Sequence, residues 1–159
     1  MRTIFITISV LVLLFLSCSQ TESTVNTNEN MFLAASQQDT SEWNKLTAEE
    51  AYVIVNKGTE YPGTGKYVDN HEKGIYQCKR CNTPLFTSES KFESGTGWPS
   101  FDDFIDSNVE IVKDADGYRE EIVCGTCKGH LGHVFYNEGF TSKNTRHCVN
   151  SISLNFVAK

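Results

Sequence analysis

Two Cys-x-x-Cys pairs, Cys78-Lys79-Arg80-Cys81 and Cys124-Gly125-Thr126-Cys127, constrain this chain more than any other feature, with 42 residues (82–123) between them. Two such knuckles can offer four thiolates at tetrahedral geometry, and Zn²⁺ bound there supplies folding energy that a small core lacks. The separation exceeds that of a compact zinc finger, so a sheet must bring the knuckles together. Structural disulfides and a redox-active Cys-x-x-Cys pair are the competing uses of the same thiols. Neither pair is followed by a helical pattern, as a redox pair would be, which favours one structural zinc per chain held by Cys78, Cys81, Cys124 and Cys127. Four thiolates leave no open position for water.

The segments around the knuckles are short and turn-punctuated. Thr47-Ala48-Glu49-Glu50 has capping-box order, and Gly58 supplies a stop after Lys57, so one short helix opens the domain. Apolar and aromatic stretches follow at 75–78, 84–87, 109–112, 118–124, 134–136 and 148–157. Their lengths predict a mainly β fold of two small antiparallel sheets rather than a wound α/β fold. Ten Phe and six Tyr suit strands and aromatic pockets. The last stretch alternates, with Ile152, Leu154 and Phe156 on one face and Ser151, Ser153 and Asn155 on the other, which places Cys148 and Asn150 on the apolar face.

The apolar run Ile4 to Leu16, behind the single charge of Arg2, reads as an export signal over residues 1–17. Phe15-Leu16-Ser17-Cys18 has the order of a lipoprotein cleavage site, with Cys18 as the lipidated first residue; an ordinary signal with an incidental cysteine is the alternative. Residues 18–41 are rich in Ser, Thr, Gln and Asn and predict a flexible tether, leaving 42–159 as the folded domain. That organisation implies an envelope protein, periplasm-facing and held to a membrane by lipid. With 14 basic against 20 acidic side chains and no basic block, the chain lacks the electrostatic footprint of nucleic-acid binding.

Outside the knuckles one cysteine remains in the domain. Arg146 and His147 flank Cys148; on a strand Arg146 shares its face and can lower its pKa, whereas His147 points away. His130-Leu131-Gly132-His133 offers two imidazoles as proton donors, the minimum partner set for thiol chemistry. Ser94-Gly95-Thr96-Gly97-Trp98-Pro99-Ser100-Phe101 presents Trp98 and Phe101 from a stiff loop, suited either to the core or to a sulfur-bearing ligand.

These motifs, with Gly58-Thr59-Glu60, Gly129-His130-Leu131-Gly132-His133-Val134-Phe135 and Arg146-His147-Cys148-Val149-Asn150-Ser151, resemble the methionine-R-sulfoxide reductase (MsrB) family from about Trp43 to Phe156. The resemblance implies two antiparallel sheets, a zinc site remote from the chemistry, and reduction of methionine-R-sulfoxide in oxidised proteins. It implies Cys148 as nucleophile, His133 as proton donor, His130 and Asn150 as supporting hydrogen-bonding groups, and Arg146 as the charge neighbour. Trp98, with Phe101 and Phe135, is expected to receive the substrate. Many members carry a resolving cysteine where this chain has Thr96, so the expected recycling uses an external, thioredoxin-like thiol. A monomeric domain is expected. The rival readings are a zinc-stabilised binding domain without catalysis and an exported thiol-disulfide oxidoreductase.

Overall fold

A computed structural model describes residues 43–159. The expected signal 1–17, Cys18 and the tether 18–41 lie outside the described residues. The opening helix α1 (Ala48–Ile54) is fixed by its first turn, where the Thr47 hydroxyl accepts from the Glu50 backbone N–H and the Glu50 carboxylate accepts from the Thr47 N–H. Such a reciprocal cap contributes about 1 kcal/mol. The helix stops earlier than Gly58 suggested, at a cap on Val55. Lys57, not glycine, takes the left-handed turn (φ 58°), and the Gly58 N–H donates back to Tyr52 O at 2.9 Å. Glycine at 58 instead lets the exposed Tyr52 ring lie against the backbone, where a Cβ would displace it.

Nine strands follow among the described residues: β1 (Gly74–Cys78), β2 (Pro84–Thr87), β3 (Lys91–Phe92), β4 (Ser100–Phe101), β5 (Val109–Lys113), β6 (Glu120–Cys124), β7 (His130–Tyr136), β8 (Thr145–Val149) and β9 (Leu154–Ala158). They form two antiparallel sheets, one of three strands in the order β2-β1-β9 and one of six in the order β3-β4-β8-β7-β6-β5. The mainly β expectation therefore holds. The core lies where both sheets contribute aromatics. Phe86 of β2 stacks on Phe101 of β4 at 4.3 Å between ring centroids, and Tyr76 of β1 meets Phe101 edge-on at 5.0 Å. Full burial of such rings contributes roughly 2–3 kcal/mol each. Methionine takes no part, since Met1 and Met31 both precede the described residues.

Three features depart from the sequence expectation. The two-residue strands β3 and β4 are too short to leave a pattern. β7 begins at His130 rather than at Val134, so it carries both histidines; Gly132 masks the alternation but is required, because a Cβ there would lie 1.9 Å from the carbonyl oxygen of Cys148. Finally, the run 148–157 is two strands in different sheets, broken by a 3-10 turn at Ser151–Ser153. The expected parity fails at the turn, where Ser151 and Ser153 are buried. Their hydroxyls satisfy backbone groups: Ser151 Oγ accepts from Tyr67 N–H at 2.7 Å and Ser153 Oγ donates to His130 O at 3.0 Å.

Candidate active site and metal centre

The two knuckles are copies of one turn. In the first, Asn82 N–H donates to Cys78 O and Cys78 N–H to Thr83 O; in the second, Lys128 N–H donates to Cys124 O and Cys124 N–H to Gly129 O. The left-handed positions correspond too, Asn82 at φ 60° and Lys128 at φ 56°. Cys78 ends β1 in the three-stranded sheet and Cys124 ends β6 in the six-stranded one. All four sulfurs lie within 4.8 Å of one another, with the closest approaches between knuckles, Cys78 to Cys127 at 3.6 Å and Cys81 to Cys124 at 3.5 Å. A tetrahedral ion with Zn–S bonds of about 2.3 Å requires sulfurs about 3.8 Å apart, so the residues fit zinc. Without a cation the four thiols cannot ionise together. Their mutual hydrogen bonds push Cys78 and Cys127 up and Cys81 and Cys124 down. Zinc would be held by these four cysteines and would supply structural cross-linking between the sheets.

Cys148 sits on β8 between β4 and β7, opposite Ser100 on one side and His133 on the other. Its half-buried thiol opens into a cavity of about 130 Å³, walled by Trp98 and Phe135 and completed by Thr59, Arg119, Gly132, His133 and Asn150. No metal-site cysteine lines it. Burial pushes the Cys148 thiol up; the positive charge of Arg146 opposes this, and the neighbouring Thr96 hydroxyl opposes it as well. The expected lowering by Arg146 is therefore present but outweighed. Arg146 is itself fixed by a two-point pairing with Glu138 (2.7 and 3.0 Å) and stacks over the Phe135 ring at 4.5 Å.

The two imidazoles occupy unlike surroundings. His133 reaches the cavity and shares a 2.5 Å hydrogen bond between Nε2 and Asp114 Oδ2, which holds the Asp114 carboxyl below the usual range. His130 is buried behind it, with Nδ1 at 2.7 Å from Glu121 Oε1, and the two rings meet edge-on at 5.4 Å. Asn150 is tied at both ends of its amide: Oδ1 accepts from Glu60 N–H and Nδ2 donates to Leu131 O. Trp98 Nε1–H donates to Glu60 O at 3.0 Å, so the turn that carries Glu60 orients both the amide and the indole.

Phe101 requires a correction as a substrate-binding residue. It is fully buried between Phe86 and Tyr76 and has no face on the cavity, because β4 turns alternate residues inward and Phe101 falls on the core side. Conversely, sequence reasoning missed Arg119, Asp114 and Glu121, and it named Thr59 and Glu60 only as part of a motif, without a role. Arg119 and Asp114 stand on the β5–β6 hairpin, whose Asp116-Gly117 step was the available signal.

Architecture and site together define a β domain with a four-cysteine metal centre and, apart from it, one cysteine that lines a cavity. The SelR domain family model matches residues 46–158, nearly all that is described, and the chain belongs to that family. Peptide methionine sulfoxide reductase B3 of Arabidopsis thaliana is 50% identical over 123 residues, covering 76% of this chain and 70% of its own length. The chloroplastic peptide methionine sulfoxide reductase B2 of the same plant is 52% identical over 118 residues, 73% of this chain and 58% of its own. Peptide methionine sulfoxide reductase MsrB of Methanosarcina barkeri (strain Fusaro / DSM 804) is 48% identical over 126 residues, 77% and 88% of the two chains.

Proposed function

We propose that the chain reduces methionine-R-sulfoxide in proteins to methionine by thiol chemistry at Cys148. The observation that carries this reading is the Cys148 thiol opening, beside His133, into a small cavity walled by Trp98 and Phe135. The sulfoxide sulfur is a poor electrophile until its oxygen is protonated. In the proposed step the Cys148 thiolate attacks that sulfur, His133 gives its proton to the oxygen, and the oxygen passes to Cys148. The products are a Cys148 sulfenic acid and the thioether. An external thiol then attacks the sulfenic sulfur, releasing water and leaving a mixed disulfide that a second thiol reduces. Thr96 stands near enough to Cys148 to lower its thiol and carries a hydroxyl that cannot form a disulfide, which supports the external route.

The cellular setting belongs to the same proposal. Lipidation at Cys18 and a tether over 18–41 would place domain 42–159 in the cell envelope as a monomer on a membrane anchor, facing the periplasm, and the order of residues 1–18 supports this. The decisive assay gives the full chain racemic protein-bound methionine sulfoxide and dithiothreitol. Turnover should stop near half conversion and vanish in Cys148→Ser with metal content unchanged. Conversion of both epimers, or turnover in that variant, would sink the reading.

A further inference from the structure

The least expected charge in the domain is Glu121, whose side chain is only 1% exposed on β6. A carboxylate taken this far from water persists only when paired, and Glu121 has two partners: Lys57 Nζ at 2.7 Å and His130 Nδ1 at 2.7 Å. Lys57 reaches it from the turn after α1. Its left-handed backbone is costly for a residue with a side chain, and Gly58 stands next to it. The ion pair gives that strain a purpose. Burial alone would raise the Glu121 carboxyl, but Lys57 and His130 outweigh it and hold it low, while burial pushes the His130 imidazole down.

An ionised carboxylate facing a neutral imidazole leaves one arrangement. His130 carries its proton on Nδ1, donated to Glu121, and Nε2 is left as a bare acceptor. Among the described residues, His130 Nε2 and Arg146 Nη1 are the buried side-chain polar atoms with no partner, and both belong to groups beside Cys148 or His133.

We propose that Glu121 is a positioning residue for the reaction: paired with Lys57, it locks His130 as the neutral Nδ1–H tautomer and leaves proton donation to His133. Lys57 is essential to this division because it cancels the Glu121 charge, which would otherwise draw a second proton onto His130. Two imidazolium rings 5.4 Å apart would repel, and His133 would lose the proton that the sulfoxide oxygen needs. The charged and titratable groups facing His130 are Glu121 from β6, Lys57 from the turn after α1 and His133 on its own strand; Asp114 and Arg119 of the β5–β6 hairpin act beyond His133.

The inference rests on the reductase reading, and its test includes an arm that needs no turnover. Imidazole ¹⁵N–¹H correlation spectra of the full, zinc-loaded chain should show His130 protonated at Nδ1 and bare at Nε2 at neutral pH. Glu121→Gln should mix the tautomers and lower kcat about tenfold or more, with KM changed less than about threefold. Lys57→Met removes the charge from a side chain that is 57% exposed, with folding checked by circular dichroism; it should move the His130 titration and the acid limb of kcat/KM upward together. An Nε2-protonated His130 in the wild type, full kcat in Glu121→Gln, or an acid limb that moves without His130 would overturn the assignment. Should Glu121→Gln fail to fold, the wild-type spectrum and Lys57→Met decide it.

Discussion

Cys148 rests as a thiol because burial outweighs the help of Arg146 and Thr96, so its nucleophilic form is scarce until the pH rises. Alkylation of Cys148 by iodoacetamide in zinc-loaded protein should therefore accelerate with pH and inflect above the ordinary thiol value of 9.0, and Arg146→Met should move the inflection higher still. An inflection below neutrality would contradict the burial argument. The aromatic residues of the Gly-x-Gly loop divide in the same way between site and core. Phe101→Ala should cost about 3–5 kcal/mol in denaturant unfolding, because it empties the stack between Phe86 and Tyr76. Trp98→Ala should instead raise KM for the sulfoxide with a small loss of stability, since the indole is half-buried on the cavity wall. A KM effect in Phe101→Ala equal to that in Trp98→Ala would restore Phe101 to the site. Cys148, His130, His133, Arg146, Asn150 and Trp98 could be named from the sequence because each stands in a short motif. Glu121 and Asp114 could not, because a carboxylate's role comes from partners far along the chain, such as Lys57 for Glu121.

Elements were legible where one local rule governed them. The capping box at Thr47 and Glu50 and the strand at 84–87 followed directly from residue order. The run 148–157 failed because Ser151 and Ser153 are buried by satisfying backbone groups, a long-range event that imitates the polar face of a strand. Gly132 shows the opposite limit, a residue that breaks the pattern of β7 and is indispensable to it. Gly132→Ala should force β7 and β8 apart where the Cys148 carbonyl approaches. Measured by thermal melting, it should be among the most destabilising single-methyl additions in the domain, by about 3 kcal/mol or more. It should also lower activity more than stability alone predicts, because the displaced strand carries Cys148. A Gly132→Ala variant that melts and turns over as the wild type does would show that the two backbones can separate freely.

At the scale of the molecule the metal centre adds a second tie between sheets that already share the core of Phe86, Tyr76 and Phe101, because one knuckle closes the three-stranded sheet and the other closes the six-stranded one. Removing zinc with a chelator, or replacing a ligand in Cys78→Ser, should therefore unfold the domain cooperatively, read as loss of near-ultraviolet dichroism in step with activity. Loss of activity with the fold retained would mean that the sheets hold together unaided. That the fold must unite distant knuckles was readable from their spacing, but the expected single sheet does not do it: they end strands of two different sheets, and neither that nor the six-to-three division was legible, since two-residue strands leave no pattern. One compositional property of this core bears on the conditions in which the chain would work. Oxidants that turn exposed methionines into sulfoxides also turn buried ones into polar, swollen side chains that loosen packing. Between residues 43 and 159 there is no thioether to convert. The domain can thus sit amid the damage it acts on without becoming its own substrate.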